Sequence, residues 1–292
     1  MNSEKISLNG KWKLDYYSNK PYDGEGEPAF FIADTNNVEQ DVDCVTECPV
    51  PGYFEDMLDL FRTTPLHTKL SWNPLYTLQR YPQTGYCPDM ALPNPVGCFV
   101  YQRSFFVEKD KLDLDTDLYV GGAQNRLSAW VNGVYLGCHE GYSAEFFMNI
   151  PKGTLKEGEN RISLAVSNNR LAGYKGRPIS GLTSRASNEC TGGIWGDVEI
   201  RFYPDSIRGV CVSVSEDLSS FTVNLLGGKD VDKTVRILDN GKEIYSVKVE
   251  KGKTSVSIPC TDYNHWSPAS PYLYTVSVSS ENQNIEQRFG IR

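Results

Sequence analysis

The stretch "LSAWVNGVYLG", residues 127–137, reads as two short apolar runs hinged on Asn132-Gly133. Both hinge residues tolerate the positive φ that a type I′ turn demands, and that turn matches the right-handed twist of paired strands. A second stretch, "VRILDNGKEIYSVKV" at residues 235–249, repeats the signal with Asn240-Gly241. There Val235 and Ile237 alternate with Arg236, and Tyr245, Val247 and Val249 alternate with Ser246 and Lys248. A period of two sends one face inward and the other toward water. Two hairpins of this kind make a β reading the starting point for the whole chain.

Outward from the hairpins the same grammar continues. No segment holds a helical period over three turns. Short β-rich runs alternate with turn residues, in a chain that carries 25 Gly, 16 Pro and 17 Tyr, which is the pattern of β-sandwiches. A boundary falls in "RFYPDSIRGV", residues 201–210, where Pro204 and Asp205 break a strand ending at Tyr203 and a new run begins at Ile207. From there to Arg292 about seven strands are expected, the size and rhythm of an immunoglobulin-like sandwich. The expected domains are therefore 1–204 and 205–292. Within the first, residues 60–98 are rich in Pro, Tyr and Asn and poor in alternation; a long irregular segment inside a compact domain is expected to be functional or mobile.

Composition excludes several classes of function. The 292 residues carry a formal net charge of −8, with the acidic residues spread along the chain. No cluster of Lys and Arg suits nucleic acid, and no stretch reaches 18 apolar residues, so neither nucleic acid nor membrane is an expected partner. The start, "MNSEKISLNGKWKL", has no apolar core of a signal peptide. It points to the cytoplasm, or to the periplasm if a leader has been removed. Eight cysteines and three histidines are scattered, and only Cys44 and Cys48 lie close together. Free buried thiols are the expectation, with a disulfide or a metal site as the alternatives.

Several motifs stand in a fixed order: "LNGKWKL" (8–14), "VPGYFED" (50–56), "VYQRSFFV" (100–107), "LSAWVNGVYLG" (127–137), "LKEGENRISLAVSN" (155–168) and "TGGIWGDVEIRF" (191–202). Each has a physical job. Gly10 and Trp12 suit a turn followed by an aromatic plug, Trp130 is expected between sheets, and Gly192-Gly193 is expected to allow a close approach that sends Ile194 and Trp195 into the core. As a series they resemble the N-terminal sugar-binding domain of family 2 glycoside hydrolases. "WSPASPYLYTVSV" (266–278) and "RFGIR" (288–292) resemble the end of the immunoglobulin-like domain that follows it. The segment "RYPQTGYCPDMALPNPVGCFVYQRSF" (80–105) is similar to the large bacterial β-galactosidases more than to the β-glucuronidase or β-mannosidase branches.

The resemblance implies a galactose-binding-like jelly-roll sandwich followed by an immunoglobulin-like β-sandwich, an all-β class. It also implies that a (β/α)₈ barrel follows Arg292 and carries the two carboxylates of retaining hydrolysis. No residue of this chain is then catalytic. Glu189 follows Asn188, as the family's acid/base Glu follows an Asn, but it sits before the "GGIW" strand, where a structural or substrate-rim role is expected. In the similar β-galactosidases an Asn follows the Tyr-Pro pair, and Tyr86 stands near that position here. An Asp that helps hold a sodium ion is replaced by the run Ser187, Asn188 and Glu189. The candidate substrate-binding residues are thus Tyr86, Asn188, Glu189 and the aromatic Trp72. No metal or cofactor is expected in this chain, with sodium or magnesium confined to the parent enzyme. The implied partners are a carbohydrate substrate, the C-terminal barrel and, in the intact enzyme, a second copy. An autonomous carbohydrate-binding module and a structural or oligomerisation unit are the alternative readings.

Overall fold

A computed structural model describes residues 4–17, 46–53, 98–124, 126–141, 144–167, 192–260 and 262–292. By contact the chain divides into two compact units. One holds Ile6–Leu112 and Asp117–Ile200; the other holds Arg201–Arg292 with Asp113–Thr116 and Met1–Lys5. Among the described residues the elements are strands, apart from one 3₁₀ turn at Lys109–Lys111.

Among the described residues thirteen strands precede residue 204: β1 (Glu4–Ser7), β2 (Gly10–Tyr17), β3 (Thr46–Val50), β4 (Gly52–Tyr53), β5 (Cys98–Val107), β6 (Asp115–Val120), β7 (Ala123–Gln124), β8 (Arg126–Val131), β9 (Val134–Glu140), β10 (Phe146–Ile150), β11 (Gly158–Ser167), β12 (Gly193–Ile194) and β13 (Val198–Tyr203). They form a four-stranded sheet in the order β1-β13-β6-β10, a six-stranded sheet β3-β2-β5-β11-β8-β9 and a three-stranded sheet β4-β12-β7. Alternate residues supply the core: Leu118 and Val120 of β6, Phe146, Met148 and Ile150 of β10, and Ile162, Leu164 and Val166 of β11 are all buried. Each such aliphatic or aromatic side chain contributes about 1.5–3 kcal/mol of hydrophobic stabilisation. Trp12 is also buried and donates its indole N–H to the Leu8 carbonyl at 2.7 Å, so its one polar atom is satisfied.

The first hairpin forms as expected. Asn132 has φ +48° and Gly133 φ +83°, joining β8 to β9. The Asn132 amide also donates to the Thr154 carbonyl (2.9 Å) and to Asn160 Oδ1 (2.7 Å), tying the turn to the start of β11. Two expectations need correction. Trp130 is buried, but it packs with Val100 and Ala165 in a small separate cluster. Successive side chains alternate across a strand, so it lies on the face opposite Ala129 and Val131. Trp195 is only half-buried, while its neighbour Ile194 is fully buried.

Seven strands follow: β14 (Ile207–Val214), β15 (Ser220–Gly227), β16 (Lys233–Asp239), β17 (Lys242–Val249), β18 (Ser255–Pro259), β19 (Tyr274–Ser279) and β20 (Asn284–Phe289). They make two sheets, β14-β15-β18 and β17-β16-β19-β20. The fifth strand returns to pair with the second, a Greek-key connection of the immunoglobulin-like kind. The core is Phe221, Val223 and Leu225 of β15, with Val235, Ile237, Val276, Val278 and Phe289 from the other sheet. Lys233 is buried too, and its ammonium donates to the carbonyls of Gly228 and Lys253.

The turn between β14 and β15 is closed by Asp217. Its carboxylate accepts hydrogen bonds from Ser215 Oγ (2.7 Å), the Ser219 N–H (3.0 Å) and Ser219 Oγ (2.8 Å). These donors, Ser215 first, hold its carboxyl down at about 2. A carboxylate whose folded pKa is depressed below its unfolded value of about 3.9 stabilises the fold above that value and loses its effect as the pH falls toward the folded one. Asp217→Ala is therefore expected to lower the thermal midpoint at pH 7, and the gap to the parent chain narrows as pH drops from about 4 to about 2, read by circular dichroism melts. A gap unchanged over that range contradicts the assignment.

Candidate functional site

Two long segments, 54–97 and 168–191, contain every residue singled out for sugar contact. Tyr86, Trp72, Asn188 and Glu189 lie outside the described residues, and so do the departures at Ser187. What the structure describes is how both segments are rooted. Segment 54–97 leaves after Tyr53 of β4 and returns at Cys98 of β5. Segment 168–191 leaves after Ser167 of β11 and returns just before β12. Gly193 of β12 is the register partner of Tyr53, and Ser167 is the register partner of Cys98. Both ends of one segment are therefore strand-paired neighbours of both ends of the other. Segment 18–45 starts beside them, because Tyr17 of β2 also pairs with Cys98.

The three-stranded sheet β4-β12-β7 makes this possible. Gly193 and Ile194 pair with Tyr53 and Gly52 on one side and with Gln124 and Ala123 on the other. Just after β12 the backbone crosses Gly121-Gly122: the N–H groups of Trp195 and Gly196 both donate to the Gly122 carbonyl at 3.0 Å, and the Gly121 N–H donates to the Asp197 carbonyl at 2.8 Å. A methyl group on Gly196 would stand 2.3 Å from backbone atoms of Gly121 and Gly122. Beside the expected Gly192-Gly193, a close approach is made at Gly121, Gly122 and Gly196. It seats the Trp195 indole over Gly122 and parallel to the Tyr53 ring, with centroids 6.4 Å apart and planes at 10°.

Tyr53 is 41% exposed. It presents an aromatic surface at the shared root of the two segments, and sequence reading passed over it. It lies inside the quoted "VPGYFED" motif, but nothing local marks its exposure.

At the same end of the six-stranded sheet, Arg126 is the register partner of Ser167 and donates to Glu140 Oε1 at 2.8 Å. On neighbouring β9, burial pushes the Cys138 thiol up, with Arg126 and a hydrogen bond to Ser128 pulling the other way. A raised thiol holds little thiolate at neutral pH, the opposite of an activated nucleophile. Burial likewise lowers His139, against the pull of Glu140, and its ring stacks on Phe146 at 3.9 Å. Cys48 and Cys260 are buried and in no disulfide, as expected, whereas Cys138 and Cys211, also in none, are exposed. Among the described residues no three His, Cys, Asp or Glu side chains are grouped to hold a metal ion, and no helix is long and apolar enough to cross a membrane. The described geometry is that of a scaffold that roots segments side by side.

Comparison with known proteins gives a consistent answer for both parts of the chain. The family model described as "Glycosyl hydrolases family 2, sugar binding domain" matches residues 5–199, and the one described as "Glycosyl hydrolases family 2" matches residues 210–292. The chain is 24% identical over 314 residues to a beta-galactosidase of Arthrobacter sp. (strain B7), covering 98% of this chain and 27% of that protein. It is 23% identical over 311 residues to a beta-galactosidase of Clostridium acetobutylicum, covering 99% of this chain and 31% of that one. The chain therefore spans about a third or less of the length of these curated relatives. Among solved structures, a beta-glucuronidase of an uncultured Clostridium sp. matches with a TM-score of 0.66 at 20% identity, over 100% of this chain and 45% of that one. A beta-glucuronidase of Bifidobacterium dentium matches with a TM-score of 0.67 at 19% identity, over 100% and 48%. At such identities the likeness to the glucuronidases is one of fold.

Proposed function

This chain belongs to the glycosyl hydrolases of family 2, and we propose that it is the sugar-binding and immunoglobulin-like part of a β-galactosidase-like enzyme, shaping a substrate cleft for catalytic carboxylates carried elsewhere in the protein. The sugar-binding domain is taken as residues 1–204 and the immunoglobulin-like domain as residues 205–292. The observation that carries the reading is the paired match of the two family models, which together leave few residues unassigned. The β-galactosidase relatives favour a galactoside, since they align along nearly the whole chain. Hydrolysis with retention needs two carboxylates about 5–5.5 Å apart. On this reading neither belongs to this chain, whose part is to present segments 54–97 and 168–191 to the sugar from their common root.

The test is hydrolysis by the polypeptide encoded by the full reading frame that contains these residues, assayed on aryl β-galactoside, β-glucuronide and β-mannoside. The expected result is turnover with kcat/KM highest for the galactoside. A preference for the glucuronide overturns the substrate assignment, and no glycosidase turnover at all overturns the function.

Tyr53 supplies a more local prediction. Loss of one aromatic contact is worth about 0.5–1.5 kcal/mol. Tyr53→Ala is expected to raise KM for the galactoside roughly 2–10-fold in that polypeptide, with kcat within about twofold. An unchanged KM removes Tyr53 from the substrate surface.

A further inference from the structure

Three Asn-Gly pairs stand in the chain, at 9–10, 132–133 and 240–241. The pair is chemically labile. The glycine nitrogen, with no side chain beside it, can attack the side-chain carbonyl carbon of the asparagine before it. The structure holds the three asparagines very differently. Asn9 donates to Asp197 Oδ1 at 2.8 Å and accepts from the Val198 N–H at 3.0 Å. Asn132 donates to the Thr154 carbonyl (2.9 Å) and to Asn160 Oδ1 (2.7 Å), and accepts from the Arg161 N–H at 2.9 Å. Both side chains are thus tied to residues distant in sequence. Asn240 donates to the adjacent Asp239 at 2.9 Å and reaches the Tyr272 hydroxyl at 3.5 Å. Asn240 and Gly241 are both exposed, and a methyl group added to Gly241 would meet nothing within 4 Å.

We propose that Asn240 is a site of spontaneous covalent modification in the folded protein, and that hydrogen bonds hold Asn9 and Asn132 against the same reaction. The Gly241 nitrogen bonds to the Asn240 side-chain carbonyl carbon. The bond from that carbon to the amide nitrogen breaks, and ammonia leaves with the proton that the Gly241 nitrogen gives up. Water then opens the cyclic imide, at one carbonyl to aspartate and at the other to isoaspartate. Attack requires the asparagine side chain to swing toward the next nitrogen. The turn itself does not separate Asn132 from Asn240, since φ is +48° and +83° across the first pair and +49° and +83° across the second. The side-chain bonds do. Each ordinary hydrogen bond that must be released slows the step roughly fivefold. Asn9 must release two and Asn132 three, whereas the short bond of Asn240 runs to its own neighbour at the surface. The product places a carboxylate where the amide donated to Asp239, so like charges meet in one turn. Isoaspartate also lengthens the backbone of a two-residue turn whose geometry is tightly set. Asp239 accepts from the Tyr272 hydroxyl at 2.7 Å, so the change loosens the tip of the β16–β17 hairpin and its tie to Tyr272.

The test is incubation of the folded 292-residue chain at mildly alkaline pH, with the conversion of amide to acid followed at all three asparagines by peptide mass spectrometry. Asn240 is expected to convert at least about tenfold faster than Asn9 or Asn132. The three rates are expected to converge in urea, where the tethering bonds are gone. Equal rates in the folded chain overturn the proposal, and so does an Asn240 that stays intact while the chain in urea converts. A spread in urea as wide as in the folded chain assigns the difference to local sequence and also overturns it. Asp197→Ala gives an independent arm. It removes the acceptor of the Asn9 amide from an exposed position, and it is expected to speed conversion at Asn9 roughly fivefold while leaving Asn240 unchanged. No acceleration at Asn9 contradicts the proposal.

Discussion

Replacing Gly196 with Ala is expected to cost about 3–5 kcal/mol and to lower the urea midpoint of the sugar-binding domain accordingly. The added methyl lands 2.3 Å from the Gly121 carbonyl carbon and the Gly122 nitrogen. Those are backbone atoms, so no side-chain rotation relieves the clash. Overpacking alone costs about 1–3 kcal/mol. Moving the strands apart also weakens the two hydrogen bonds that Trp195 and Gly196 donate to the Gly122 carbonyl, at about 1 kcal/mol each. Gly122→Ala makes a sharp internal comparison. There the methyl meets the Trp195 ring at 2.1 Å, a side chain, so pairing it with Trp195→Ala restores part of the loss. Gly196→Ala has no such rescue. If Gly196→Ala unfolds at the parent's urea concentration, the crossing that roots the two candidate segments is wrong.

Gly227→Ala is the second large effect, expected at about 3–4 kcal/mol in the immunoglobulin-like domain. Gly227 has φ +93°, and its added methyl would stand 2.0 Å from the Ser206 carbonyl oxygen. A left-handed backbone costs a non-glycine residue about 1–2 kcal/mol before any clash. The clash is hard to relieve because residues 205–207 are clamped. Gln283, itself buried, donates to the Ile207 carbonyl and accepts from the N–H groups of Asp205 and Ile207, each at 3.3 Å. Asp205 in turn accepts from the Asn282 N–H at 2.9 Å and its side-chain amide at 3.1 Å. Burial raises the Asp205 carboxyl, but the donors Ser280 and Asn282 outweigh it and leave the group lowered, hence charged at neutral pH. Gly241→Ala separates strain from clash: Gly241 has φ +83° and nothing within 4 Å of an added methyl, so only the backbone term of about 1 kcal/mol is expected. Equal losses at the two positions contradict the argument.

The hairpins and the strand rhythm were legible because their signals are local. Asn132-Gly133 and Asn240-Gly241 adopt positive φ, and the alternation from Val235 to Val249 matches the buried and open faces of β16 and β17. Trp130 shows where that reasoning stops. Period two says which residues share a face, but both faces of β8 are covered, so alternation does not say which face holds the main core. Trp195 was misplaced because the close approach that seats it joins Gly122 to Gly196, far apart in sequence. Strands β4, β7 and β12 have two residues each, too few for any period to register. The rooting of the candidate segments depends on the pairings of Tyr53 with Gly193 and of Cys98 with Ser167. Such long-range register leaves no local trace. Tyr86, Trp72, Asn188 and Glu189 fall outside the described residues.

The central claim is that these 292 residues prepare a galactoside cleft and break no bond themselves. The most direct measurement is aryl β-galactoside turnover by the purified 292-residue chain and by the full-frame polypeptide at equal molarity. Turnover by the longer polypeptide, and none above the uncatalysed rate by the 292-residue chain, is the predicted result. Hydrolysis by the 292-residue chain alone contradicts it.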